Sequence, residues 1–220
     1  LVPMLTAEIY SALGREDDAR TMFSEAAAAA PDDPSPRVSL ARLDIAAGEL
    51  DAAAAHLQAA LTSQPDAPLT LTTLAQVELY RRNLDEAIAL LTRAAETDVS
   101  GEAERLLGEA LLISGDEDAA FQAWQDAEQD TTTAAARALI AGADGSLEAF
   151  RGLDTAARAV FWTFVGKVSA LAADTDVPAS RLLERFARHA RDDPSARADL
   201  MRTFLKHRFR SGIDALQAAR

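Results

Sequence analysis

Two acidic clusters, Glu16-Asp17-Asp18 and Asp116-Glu117-Asp118, carry the carboxylates that acid–base catalysis or a hard cation would need. Each opens a stretch with apolar residues at helical stride, where a helix N-terminus favours negative charge, so both read as helix starts. The three histidines, His56, His189 and His207, lack a second metal ligand at helical spacing, and the last two sit among arginines that disfavour a bound cation. No cysteine is present, which excludes disulfides and thiolate sites. The stretch AGADG at 141–145 lacks the regular oxygen ligands of a calcium loop and reads as a turn. HExxH, a phosphate-binding GxxxxGKS or GxxxxGKT, and a glycine-rich dinucleotide fingerprint are all missing. The sequence therefore assigns no catalytic residue, no metal and no cofactor.

Charge gives a second line of argument. Residues 1–130 hold 25 acidic and 8 basic side chains, whereas 131–220 hold 10 and 14, for a net −13. The segment Arg197 to Arg210 interleaves Arg202, Lys206, Arg208 and Arg210 with Phe204 and Phe209, a pattern that single-stranded nucleic acid would suit. Those phenylalanines fall where a helical hairpin needs apolar core and the whole chain is strongly acidic, so a nucleic-acid partner is not expected. The opposite charge of the two halves instead predicts mutual attraction, within one molecule or by self-association, that salt weakens. No run approaches the ~18 apolar residues of a membrane span. Cysteine-free composition fits a cytoplasmic or an exported protein alike, and the compartment stays open. Arginine outnumbers lysine 20 to 2 and alanine is abundant, which suggests a high-GC bacterial source.

The elements behind these residues follow from a repetition. GREDDARTMF, GELDAAAAHL, RNLDEAIALL and GDEDAAFQAW spell one ten-residue pattern four times. From Gly14 to Gly48 is 34 residues, and the same step links Ala7, Ala41 and Ala75, then Ala19, Ala53 and Ala87, then Pro31 and Pro65; the fourth copy, with Gly108, Gly115 and Ala120, arrives one residue early. Small residues at these places let paired helices approach closely, while Phe23, Leu57, Leu91 and Trp124 fill the space between units and Ala26, Ala60, Ala94 and Ala127 let the next unit stack. Glycine suits the left-handed end of each first helix, and proline stops the second. Arg82 replaces the glycine in copy three, and Val99 and Thr132 replace the proline in copies three and four, which predicts less sharply defined turns there.

A period of 34 with two helices per period resembles the tetratricopeptide repeat. The resemblance covers about residues 1–130 and implies an all-α, right-handed α-solenoid of stacked helical hairpins. Residues 131–153 read as a degenerate hairpin. The helix after Asp154 carries Ala157, Val160, Phe161, Phe164, Val165, Val168 and Leu171 on an apolar stripe, and Trp162 lies off it, either as an exposed anchor or packed on a neighbouring hairpin. Residues 154–220 end in a segment, DDPSARADLMRTFLKHRFRSGIDAL, that echoes DDPSPRVSLARLDIAAGELDAAAAHL and reads as a further repeat-like hairpin.

The family resemblance implies a protein-interaction scaffold or adaptor that holds a protein or peptide segment in the concave groove of its first helices. The alternative is a regulatory or substrate-recruiting arm of a larger enzyme or chaperone, with the working domain upstream of Leu1. Helical stride opposite the small residues gives the expected groove lining: Met4 and Glu8, then Val38, Arg42 and Ile45, then Thr72, Gln76, Leu79 and Tyr80, then Arg105, Glu109, Leu112 and Ile113. Relatives that grip a carboxylate tail cluster lysine, arginine and asparagine on this face. Here the matching places hold Val38, Ser39, Arg42, Thr72 and Gln76, which predicts a ligand with apolar anchors and no carboxylate clamp.

Overall fold

The computed structural model describes residues 2–126, 130–172 and 178–218, apart from the side chains of residues 126, 130, 171 and 172. The chain divides into two compact units, Leu1–Leu106 and Leu107–Arg220, with the division inside one helix. Every regular element among the described residues is a helix.

Unit 1 is built from three helical hairpins: α1 (Val2–Ala12) with α2 (Glu16–Ala29), α3 (Ser35–Ala47) with α4 (Leu50–Ser63), and α5 (Pro68–Tyr80) with α6 (Leu84–Ala95). Each hairpin packs on the next, α2 against α3 and α4 against α5, and the first helices α3 and α5 also touch. The opening of α7 (Glu102–Ser114) completes the unit. The small residues sit where close approach demands them, with Ala7, Ala41 and Ala75 on first helices and Ala19, Ala53 and Ala87 on second helices all fully buried. Leu57 and Leu91 are likewise buried, each contributing roughly 2 kcal/mol of apolar transfer energy. The second helices α2 and α4 stop at Ala29 and Ser63, just ahead of Pro31 and Pro65.

The turns inside the hairpins close in one way. In copy two Gly48 is left-handed, at φ 79°, and the Glu49 amide donates back to the Asp44 carbonyl at 2.8 Å. In copy three Arg82 takes the same conformation, at φ 67°, and the Asn83 amide donates to the Glu78 carbonyl at 2.8 Å. The expected blurring of that turn is thus corrected: the closing hydrogen bond forms and the arginine bears the backbone strain. Without a proline, the approach to α7 is organised by Asp98, whose carboxylate accepts the amides of Ser100 and Ala103 at 2.9 Å each.

Unit 2 takes the remainder of α7, then α8 (Glu117–Asp126), α9 (Asp130–Ala143), the short α10 (Glu148–Arg151), α11 (Thr155–Ala172), α12 (Pro178–Ala190), α13 (Pro194–Lys206) and α14 (Arg210–Gln217). The fourth copy adjusts its pair of core residues together. Trp124 is fully buried, and a Cβ added to Gly108 would come within 2.3 Å of its indole nitrogen, so the larger ring is accommodated by the loss of a methyl group. Ala127, the expected stacking residue, lies outside the described residues. Farther on the core is aromatic: the rings of Phe150, Phe161 and Phe186 pack with centroids 5.0–5.9 Å apart, and Trp162, half-buried, sets its ring edge against Phe150 and Phe161. Trp162 is therefore packed rather than an exposed anchor. Among the stripe residues of α11, Ala157, Phe161, Phe164, Val165 and Val168 are buried and Val160 is half-buried; the side chain of Leu171 falls outside the description.

The terminal hairpin repeats the chemistry of the second. Asp193 accepts the amide of Ser195 at 3.1 Å, as Asp33 accepts that of Ser35 at 2.9 Å. Leu200, Phe204, Phe209 and Leu216 are buried, and Gly212 lies so close to Phe209 that a Cβ there would meet the ring at 2.4 Å.

A candidate interaction face on the first helices

Register places residues 34 apart in equivalent positions, and three such columns run along one side of α1, α3 and α5. Glu8, Arg42 and Gln76 form the first, Ser11, Ile45 and Leu79 the second, and Ala12, Ala46 and Tyr80 the third. Glu8, Ser11, Ala12, Arg42, Ala46 and Tyr80 are exposed, and Ile45, Gln76 and Leu79 are half-buried. Arg42 forms no hydrogen bond or ion pair among the described residues, and the Tyr80 ring is 62% exposed. The arrangement offers aliphatic surface, one open aromatic ring and one free guanidinium, a combination suited to holding a peptide rather than transforming a small molecule.

The remaining residues expected on this lining have other surroundings. Val38 and Thr72 are buried, at 2% and 5%, because their column faces the neighbouring hairpin. Met4, in the same column, packs on the cluster of Ala7, Ala19, Phe23 and Leu40. Arg105 pairs with Glu102 one turn earlier, at 2.6 Å. In unit 2, Leu112 and Ile113 are buried and Glu109, 9% exposed, pairs with Lys167 of α11 at 3.1 Å. Helical stride alone brings all thirteen to one side of their helices; stacking covers about half of them.

Beneath the face lies a charge that helical stride does not single out. Asp44 of α3 is fully buried and accepts a hydrogen bond from Arg20 of α2 through Oδ1, tying the first hairpin to the second. Its Oδ2 has no hydrogen-bond donor among the described residues, and the nearest candidate, Nε2 of His56 on α4, stands 3.6 Å away. The Arg20 guanidinium is held above its ordinary value first by that hydrogen bond, against the opposing effect of burial. Glu78, one repeat later, is partnered by Arg81 at 2.9 Å and by Asn83 at 2.7 Å. The signal in the sequence is one register position holding Tyr10, Asp44 and Glu78, where two carboxylates recur.

Charges are paired within each unit: Arg93 with Asp66 in unit 1, and Arg151 with Asp193, Arg185 with Asp144 and Arg202 with Asp199 in unit 2. His207 rests against Gly166, and burial followed by the neighbouring Lys206 charge pushes its imidazole below the ordinary value. Among the described residues no three His, Asp or Glu side chains converge as metal ligands, and no helix is long and apolar enough to cross a membrane.

Helical hairpins joined by a left-handed turn and stacked through alanine columns define the all-α solenoid class of repeat proteins. Residues 35–143 match the tetratricopeptide repeat-like domain, so that segment is tetratricopeptide repeat-like in sequence. No curated protein matches it in sequence. Among solved structures, MamA is 15% identical, with a TM-score of 0.53 over 87% of this chain and 94% of that one. YrrB, described as a tetratricopeptide repeat protein with an unusual peptide-binding site, is 17% identical with a TM-score of 0.52, covering 89% of this chain and 98% of its own. At these identities the likeness concerns the fold. Members of the family are in general noncatalytic scaffolds for protein interaction.

Proposed function

We propose that the chain is a noncatalytic adaptor that binds an extended or helical partner segment on the open face of α3 and α5. The observation that carries this reading is the exposed Tyr80 ring in register with Ala46 and beside Leu79, with the unpaired Arg42 guanidinium one helix away. Tyrosine and arginine supply most of the affinity in many interfaces because they combine large contact area with directional hydrogen bonding. Aliphatic neighbours at Ile45 and Leu79 give a partner's apolar side chains somewhere to dock, and a single guanidinium without lysine or asparagine beside it is poorly equipped to clamp a terminal carboxylate. The peptide-binding description of YrrB, a structure of the same fold, is consistent with this use of the scaffold.

The test is selection of binding peptides from a display library against the intact chain, followed by titration of the best one. Arg42→Ala and Tyr80→Ala should each weaken binding by about tenfold or more, the loss of roughly 1.4 kcal/mol or greater, while leaving the melting temperature nearly unchanged. Two variants that bind as the parent does would remove this face from the function.

A further inference from the structure

Arg42 and Ala46 stand one turn apart on α3, about 6 Å along its axis, and both are exposed although α3 is packed by α2 on one side and by α5 on the other. Their openness therefore belongs to the interior of the stack. The column that holds Arg42 changes character from copy to copy, with Glu8 before it and Gln76 after it. Glu8 and Arg42 are exposed, and neither pairs with a described residue.

Other guanidinium groups of the same unit are already engaged: Arg81 with Glu78, Arg93 with Asp66 and Arg105 with Glu102. Arg42 keeps all its donors, and a free guanidinium matches a carboxylate through two parallel hydrogen bonds. Open face residues continue on α5, so a bound segment passes beyond Arg42 and the matching carboxylate is a side chain rather than a chain end. A run of carboxylates is disfavoured, since Glu8 shares the column and the whole chain carries a net −13. One acid is what this face accepts.

The neighbouring column supplies the apolar half of the motif. The register position that holds Tyr80 on α5 holds Ala46 on α3, so a methyl group stands where the next helix has an exposed ring. Half-buried Ile45 and Leu79 lie beside these two positions in sequence. A bulky apolar side chain placed on Ala46 thus gains aliphatic and aromatic surface without burying a charge.

We infer, resting on the face proposed above, that it reads a short internal motif of its protein partner: one Asp or Glu side chain paired with Arg42 and one Leu, Ile or Phe seated on Ala46 against Tyr80. The two places are about one helical turn apart, so the two side chains are separated by two residues in an extended segment, whose same-face repeat is about 6.6 Å, or by four in a helical one.

The test is selection from a random dodecapeptide library displayed with its C-terminal end fused, so that no free terminal carboxylate is offered, against the intact chain and its Arg42→Glu and Arg42→Gln variants. The parent pool should be enriched in an acid at a fixed spacing from a bulky apolar residue; Arg42→Glu should exchange that acid for lysine or arginine, and Arg42→Gln should erase the preference. With a peptide synthesised from the parent pool, changing the acid to lysine should weaken binding to the parent at least tenfold and tighten binding to Arg42→Glu by a similar factor. Circular dichroism checks the fold of each variant, and Arg42→Gln decides if Arg42→Glu fails to fold. Pools with the same acid whatever stands at 42, or with no acid in any, overturn the inference, and the face itself survives if Tyr80→Ala still abolishes binding. Binders indifferent to Tyr80→Ala as well, or a library that returns none, overturn the face and the motif together.

Discussion

Removing the Arg20 guanidinium probes the one fully buried carboxylate in unit 1. Asp44 has no solvent contact, and its two partners are Arg20, whose side chain is 37% exposed, and His56, similarly exposed and beyond hydrogen-bond distance. Breaking a fully buried pair costs about 3–5 kcal/mol because the remaining charge is left uncompensated. Partial exposure of Arg20 keeps some water near the pair, which reduces the expected cost of Arg20→Ala to about 2–3 kcal/mol. In a protein of this size each kcal/mol moves the melting temperature by about 2–4 °C, so the variant should melt roughly 5–10 °C lower. The double variant Arg20→Leu with Asp44→Leu, which replaces the pair by apolar groups, should recover most of the loss. Urea unfolding at pH 8 measures both. If Arg20→Ala is neutral, or if the double variant is no more stable than the single one, the account of Asp44 as a charge held between two hairpins is wrong.

Three further outcomes test the packing and the caps. Gly108→Ala should destabilise by about 1–3 kcal/mol in chemical denaturation through its clash with Trp124, and adding Trp124→Leu, which restores the alanine–leucine pairing of copies two and three, should reverse most of that. Arg82→Gly should raise stability by about 1 kcal/mol by relieving a left-handed arginine, and an unchanged unfolding midpoint would show that the turn is not strained. Asp193 is held below the usual carboxylate range first by its bond from the Ala196 amide and then by Arg151. A lowered folded value means that its contribution is complete above the unfolded value near ~4 and disappears as pH falls through the folded one. Asp193→Ala should therefore cost about 1–2 kcal/mol at pH 7 and progressively less in acid, as thermal melts across that range would show.

The alanine columns, the glycine turns and the large residues between units were legible because each is dictated within about 20 residues of chain. A helix pair separated by Ala7 and Ala19 has no room for anything larger, and the constraint recurs every 34 residues. The interaction face was only half legible. Stride along one helix brings Val38 and Arg42 to the same side, but which of them meets the next hairpin depends on how hairpins stack, and stacking buries Val38 and leaves Arg42 open. Asp44 shows the same limit from the other direction: its burial depends on an arginine 24 residues earlier, on another hairpin. In unit 2 the close approach of α9 to α12, where Gly142 lies against Phe186, joins segments more than 40 residues apart with no common register, and only the three-dimensional packing shows it.

The central claim is that a partner segment lies along α3 and α5. At 23.4 kDa the chain suits amide chemical-shift mapping during titration with a selected peptide. The account predicts that the largest shifts fall at Arg42, Ile45, Ala46, Gln76, Leu79 and Tyr80. Shifts concentrated on α2 and α4 or in residues 107–220, with those six unmoved, would contradict it.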